Sequence, residues 1–257
     1  MLHTHRFGPP GPAQVLAIHG LTGHGRRWET VFSQHLPDTV VVAPDLFGHG
    51  RSSWDAPWTI EANAAALAEL VETEAADPLV IVGHSFGGAV ALSLAATRPD
   101  LIAGLVLLDP AVGLDGRWVR DIADGMFASP DYTDRQEAWA EKANGSWGDV
   151  AADELDRELD QHLVALPTGR VGWRISIPAM LSYWSELTRP IALPRPDTPT
   201  TLVRAMRTSP PYVTDDLIIT LDTVLGANFA LLEWDCDHMV PLAKPAETAA
   251  VISGRLV

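Results

Sequence analysis

Leu79-Val80-Ile81-Val82-Gly83-His84-Ser85-Phe86-Gly87-Gly88-Ala89 decides how the rest of the chain is read. Four consecutive apolar residues, two of them valine, predict a strand covered on both faces. Gly83 and Gly87 flank a serine at the spacing G-x-S-x-G, and residues 88–97, stopped by Pro99, predict a helix. A strand turning this sharply into a helix leaves the serine in a strained backbone, and a Cβ on either flanking glycine would clash. The helix points its positive end at the serine, where it favours developing negative charge. An ordinary glycine-rich turn is the alternative reading of the same residues.

The surrounding chain repeats the strand-then-helix rhythm. Residues 2–7 form a possible edge strand, and residues 14–18, 39–43 and 103–108 read as short buried strands. Residues 26–36 and 60–76 read as helices, the second stopped by Pro78. This alternation predicts an α/β protein with a mostly parallel, doubly wound sheet and right-handed crossovers. Function in such sheets sits at the carboxyl ends of the strands, where His19, Asp45, Ser85 and Asp109 all fall.

From about residue 113 to 196 the strand signals vanish and amphipathic helical segments take over, among them residues 146–166 and 176–188. Five of the nine tryptophans lie here: Trp118, Trp139, Trp147, Trp173 and Trp184. Residues 113–196 are therefore expected to form a helical cap, or lid, inserted into a core made of residues 1–112 and 197–257. Strands resume at residues 200–205 and 228–234, with helices at 215–225 and 245–253. Between them lies the loop Asp235-Cys236-Asp237-His238-Met239-Val240-Pro241.

Composition narrows the function classes. The chain has 257 residues, 47% of them hydrophobic, which is ample for one large domain. No apolar run is long enough for a membrane span, and no apolar leader follows Met1. The one cysteine, Cys236, precludes an internal disulfide and suits a reducing cytoplasm. A formal charge of −15 argues against nucleic acid and anionic membrane surfaces as partners. It also disfavours a polyanionic substrate unless a local patch overrides it. The quaternary state is left at monomer or homodimer.

Taken together, the elbow at Ser85, His19-Gly20 with its glycine-rich continuation, Asp45-Leu46-Phe47-Gly48-His49-Gly50-Arg51-Ser52, and Asp237-His238-Met239-Val240-Pro241 resemble an α/β-hydrolase with a cap over nearly the whole chain. The resemblance implies Ser85 as nucleophile and His238 as the general base that takes its proton. It implies an oxyanion hole formed by the backbone N–H groups of Leu21 and Phe86, each worth about 3 kcal/mol in the transition state. His19 and Asp45 are expected to brace their loops, His84 to pack behind the elbow, and His24 and His49 lack the spacing of a metal site. No metal and no cofactor are implied.

The chain departs from the family over the acid. Many members place it just after the strand that follows the cap, and here that segment, Arg204-Ala205-Met206-Arg207-Thr208-Ser209-Pro210-Pro211, has no carboxylate. Asp109 at the end of the next strand after the elbow, Asp215 or Asp216 at a helix start, and Asp235 or Asp237 beside the histidine are the candidates. Asp109 is the choice, as in relatives with their acid at that strand end, and Asp215 stands second. An imidazolium in a dry site needs an anion to orient it.

A serine, a base and an oxyanion hole specify acyl transfer. The expected activity is that of a carboxylesterase cleaving small or medium apolar esters through an acyl-enzyme, with Trp28 and Phe86 as candidate acyl contacts. C–C bond or amide hydrolysis on the same residues, and a non-catalytic protein that holds a small ligand, are the alternatives. Arg170 and Arg174 are candidate cations for an anionic substrate group, or surface ion pairs.

Overall fold

A computed structural model describes residues 1–256. Seven strands form one sheet: β1 (Thr4–Phe7), β2 (Val15–Ile18), β3 (Val41–Pro44), β4 (Leu79–His84), β5 (Ile102–Leu108), β8 (Thr200–Ala205) and β9 (Phe229–Trp234). Their order is β1-β3-β2-β4-β5-β8-β9, and only β1, at the edge, runs antiparallel to its neighbour. β6 (Leu163–Ala165) and β7 (Val171–Trp173) pair separately as an antiparallel hairpin. The fold is the mostly parallel, doubly wound α/β architecture that the strand rhythm predicts.

Strand period sorts the core into two layers. Leu16, Ile18, Ile81, Leu105, Leu107 and Leu202 pack on one face against α1 (Ile60–Glu74) and α2 (Phe86–Thr97). Val15, Ala17, Val80, Val82, Val106 and Val203 face the other side, against Trp28, Phe32 and the last helix (Pro245–Ser253). Successive residues of a strand point to opposite faces, so a continuous apolar run serves both layers. Every residue of β4 is buried, as befits the central strand. α2 is buried on nearly all sides, which explains why it carries no charged residue.

Polar caps set where helices begin. Thr59 accepts a hydrogen bond from the Ala62 N–H at the start of α1, and Thr214 accepts one from Leu217 at the start of α7 (Asp215–Leu225). Residues 26–36 are not the expected α-helix. They form a 3₁₀ turn (Gly25–Trp28) and a single π-type turn (Val31–His35). Gly25 is pressed so closely on the Ala43 carbonyl that a Cβ there has no room. The chain thus enters this segment flat against β3, with Trp28, Val31 and Phe32 buried against the sheet.

Between β5 and β8 the chain makes α3 (Gly116–Ala128), α4 (Arg135–Ala143), α5 (Ala152–His162), the β6–β7 hairpin and α6 (Ile177–Glu186). The hairpin and the shorter α5 correct the all-helical expectation for this region. Three-residue strands are too short to show a period, and the turn between them carries Gly169 at φ 80°. The segment shares its core with α1 and α2, through Trp147, Trp173, Met180, Tyr183 and Trp184 among others. Tyr183 Oη donates to the Phe47 carbonyl at 3.1 Å, and the Ser176 N–H donates to the Gly48 carbonyl at 2.8 Å. These bonds pin the segment to the loop after β3. Among the described residues no helix is long and apolar enough to cross a membrane.

Candidate active site

Ser85 sits between β4 and α2 with φ 54° and ψ −121°, a left-handed conformation that a non-glycine residue adopts only under constraint. Three glycines make the turn feasible. A Cβ on Gly83 would lie 2.5 Å from the Gly87 carbonyl oxygen, and one on Gly87 would strike the Ile18 carbonyl. On the facing loop, a Cβ on Gly20 would come within 2.9 Å of Ser85 Cβ. The Ser85 backbone is held from both sides, its N–H donating to the Leu108 carbonyl and its carbonyl accepting from Gly88 and Ala111.

The structure brings Ser85, His238 and Asp109 together. His238 Nε2 is 2.9 Å from Ser85 Oγ, and its Nδ1 is 2.6 Å from Asp109 Oδ2. The carboxylate fixes the tautomer, with Nδ1–H donating to Asp109 and Nε2 free to accept from the serine hydroxyl. Asp109 is 1% exposed and also has a positive φ, 42°. Its own N–H donates to the Val203 carbonyl, and its Oδ1 accepts from the Ala205 N–H at 3.1 Å. The end of β8, which carries no carboxylate of its own, lends a backbone donor to Asp109 at the end of β5.

The other acid candidates lie apart from the imidazole. Asp215 is 80% exposed and pairs with Arg204, and Asp235 is 90% exposed and pairs with Arg207. Asp237 turns its carboxylate to the backbone N–H of His238, away from the ring. Asp216 opens α7 beside Asp215.

Two neighbours hold the imidazole in place. His84 Nε2 lies 2.7 Å from the His238 carbonyl, which makes it the donor in that bond. Burial pushes the His84 pKa well below its usual value, so the ring stays neutral. Tyr212 stacks on His238, ring centroids 4.0 Å apart. Burial, with the Asp109 charge adding to it, pushes the Tyr212 phenol up to about 12. Sequence reasoning missed Tyr212. Its only local signal is the preceding proline pair, which marks a turn and says nothing of what the ring meets.

The backbone N–H groups of Leu21 and Phe86 have no hydrogen-bond acceptor among the described residues. Phe86 is the first residue of α2, where no carbonyl of the helix reaches its N–H. Leu21 follows Gly20, the residue pressed on Ser85. The two free donors thus belong to the residue after Ser85 and the residue after the glycine packed on it, and Phe86 opens a helix whose dipole favours an anion.

Beside Ser85 lies a cavity of about 160 Å³, whose walls include Ser85, His238, Leu21, Tyr212, Trp147, Trp184, Met126, Lys142 and Arg27. The side chains of Trp28 and Phe86 lie outside it, contrary to expectation. Trp28 is 1% exposed and packs beside Phe32 on the other face of the sheet, where the tight turn at Gly25 rotates it. The Phe86 ring is buried 4.5 Å from Tyr183, because the first residue of α2 turns its side chain into the core. Arg170 is tied to Asp131 and Arg174 faces a different cavity.

The remaining strand-end residues form a second polar corner. His19 Nδ1–H donates to the Gly20 carbonyl while Nε2 accepts from the Leu46 N–H. Burial opposes charge on Asp45, but hydrogen bonds from His5 and from the Arg51 and Gly25 N–H groups outweigh it and hold the carboxyl well below its usual range. His3, His5 and Asp45 each offer a ligand atom within 4.8 Å of the others, the one such group among the described residues. Its hydrogen bonds account for it without an ion: both Asp45 oxygens already accept backbone N–H groups, and His5 Nε2 lies 3.3 Å from Oδ1.

A family model described as "Alpha/beta hydrolase family" matches residues 15–251. The chain belongs to this family. "Lipase LipV" of Mycobacterium tuberculosis (strain ATCC 25618 / H37Rv) is 63% identical over 255 residues, 99% of this chain and 97% of that protein. Among solved structures, E-2-(acetamidomethylene)succinate hydrolase superposes with a TM-score of 0.83 at 21% identity, covering 99% of this chain and 94% of its own. A marine microorganism esterase superposes at 0.75 with 19% identity, covering 98% of both chains. At such identities the two structures attest to the α/β-hydrolase fold alone.

Proposed function

We propose that this α/β-hydrolase is a serine esterase acting on small esters, with Ser85 as nucleophile, His238 as general base and Asp109 as the orienting acid. The observation that carries the reading is the unbroken chain of hydrogen bonds from Ser85 Oγ through the imidazole to Asp109, at 2.9 and 2.6 Å. In the first half-reaction Ser85 Oγ attacks the ester carbonyl and its proton passes to His238 Nε2. The oxyanion is received by the Leu21 and Phe86 N–H groups. On collapse the C–O bond to the alcohol breaks, and the alcohol leaves with the proton from Nε2. Water then attacks the acyl-enzyme, giving its proton to the same nitrogen, which returns it to Ser85 as the acid departs. Asp109 stays ionised and stabilises the imidazolium in both halves.

The name carried by the relative 63% identical to this chain supports ester hydrolysis as the class. The cavity supports short acyl groups. At about 160 Å³ it matches the roughly 150 Å³ pocket that takes one benzene ring. Residues 113–196 act in this reading as the cap, since Trp147 and Trp184 close the cavity from that side. Amide or C–C bond cleavage would use the same three residues, so substrate comparison separates them.

A fluorophosphonate probe and a series of p-nitrophenyl esters test the proposal. The intact protein is expected to label and to favour acetate and butyrate over palmitate, and Ser85→Ala to lose both labelling and turnover. An intact protein that neither labels nor turns over any ester would return the chain to the class of non-catalytic binders.

A further inference from the structure

The cavity over Ser85 has a charge that the rest of the chain does not foreshadow. The sequence carries 33 acidic against 18 basic residues, yet no Asp or Glu lines this cavity, while Lys142 and Arg27 do. Lys142 comes from α4 and lies with Nζ 5.2 Å from the centre of the Trp173 ring. Among the described residues it has no ion-pair partner. The two carboxylates that act on it are both engaged elsewhere. Glu141 accepts from Tyr132 Oη at 2.9 Å, and Glu158 is held by Arg27 and His24.

Arg27 is likewise placed with a donor to spare. Its Nε and Nη2 both bond Glu158 Oε1, at 3.0 and 2.6 Å, and Nη2 also reaches the Thr22 carbonyl. Nη1 has no acceptor among the described residues, and only the missing Cβ of Gly23, which would lie 2.7 Å away, leaves room for it. Glu158 therefore neutralises Arg27, and the Lys142 charge remains uncompensated. Burial lowers the Lys142 ammonium below the usual lysine range, which is the cost of holding a cation there without an anion.

We propose that the cavity takes esters bearing a second, ionised carboxylate, and that Lys142, supported by Arg27, receives that carboxylate. The inference rests on the serine-esterase reading and names its substrate class. A partly buried ammonium over an aromatic ring gains more from a carboxylate than an exposed lysine does. Both Ser85 and Lys142 line this cavity, and its volume of about 160 Å³ suits the ester of a short dicarboxylic acid.

The test compares monomethyl glutarate with the methyl ester of glutaramic acid, its uncharged isostere, at neutral pH. Wild type is expected to favour the acid ester at least tenfold in kcat/KM, mainly through KM. Lys142→Met is expected to lower that ratio at least tenfold, and Lys142→Arg to keep most of it. Wild type alone provides the second measurement: glutarate should inhibit competitively at concentrations where glutaramide does not. Equal or better turnover of the uncharged ester by wild type overturns the inference, as does a ratio unmoved by Lys142→Met. If wild type labels with the fluorophosphonate and cleaves p-nitrophenyl butyrate but shows no acid preference, only this inference falls. If it does neither, the esterase reading itself has fallen.

Discussion

The carboxyl edge of the sheet holds two corners built from the same parts, a buried aspartate just after a strand and a buried histidine from another strand's end or the loop beyond it. At the end of β3, Asp45 spends its oxygens on the Gly25 and Arg51 N–H groups, and His19 spends both ring nitrogens on the backbone. At the ends of β4 and β5, Asp109 gives one oxygen to the backbone and the other to His238, whose second nitrogen faces Ser85. The first corner is closed on itself and holds loops. The second leaves Ser85 and His238 in the wall of a cavity. A polar cluster becomes a candidate for chemistry when its hydrogen-bonding capacity is left open toward space that a ligand can enter.

The largest expected effect tests the open corner. Asp109→Asn should lower kcat about 10⁴-fold with little change in the thermal midpoint, because the imidazole loses the partner that sets its tautomer. Steady-state kinetics with calorimetry on the same preparation check this, and an activity loss below tenfold would remove Asp109 from the proposed triad.

The closed corner should respond in stability. In Asp45→Asn one acceptor becomes an amide that faces a backbone N–H, which costs about 1–3 kcal/mol and lowers Tm by roughly 2–12 °C. Its kcat/KM should stay within about threefold of wild type if the corner only holds loops. A large fall in kcat/KM with unchanged Tm would erase the distinction between the corners.

Acid should act through the same closed corner, where the buried His49 ring lies edge-on to His19 with centroids 4.9 Å apart. Burial lowers the His49 pKa from 6.5 to about 4, so the unfolded chain binds more protons across that window. Stability conferred by the neutral ring is present above pH 6.5 and is lost as pH falls toward 4, by up to about 1.4 kcal/mol per pH unit. Denaturant melts of wild type and His49→Gln at several pH values should show a shallower acid loss in the variant. Parallel curves would contradict it.

The smallest effect is the control. Asp215→Asn removes an 80% exposed carboxylate whose partner, Arg204, also lies near Glu233. Stability should change by less than about 0.5 kcal/mol and kcat not at all. A strong loss of kcat would move the acid from β5 to α7.

Much of the sheet could be read from residues alone, because strands buried on both faces are short apolar runs ended by polar or glycine-rich loops. The segment between β5 and β8 was harder. Its hairpin is three residues on each side, and its buried tryptophans look the same in sequence whether they pack helices or line a cavity. Trp28 shows the limit most plainly: three residues from the glycine-rich loop along the chain, it ends on the far side of the sheet. Lys142 was invisible for the opposite reason, since a lysine on an amphipathic helix ordinarily faces solvent.

The residues alone carried the α/β class, the strained turn around Ser85 and the choice of Ser85 and His238 as candidates for acyl-transfer chemistry. Those are local matters of period, glycine placement and side-chain type. Which carboxylate meets His238, which rings wall the cavity and which cation lacks a counter-ion were decided by tertiary structure. Ser85, Asp109 and His238 are brought together only by the parallel register of β4, β5 and β8 and by the return of the chain after β9. Contacts between residues more than a hundred positions apart depend on that closure, and no local pattern encodes their distance.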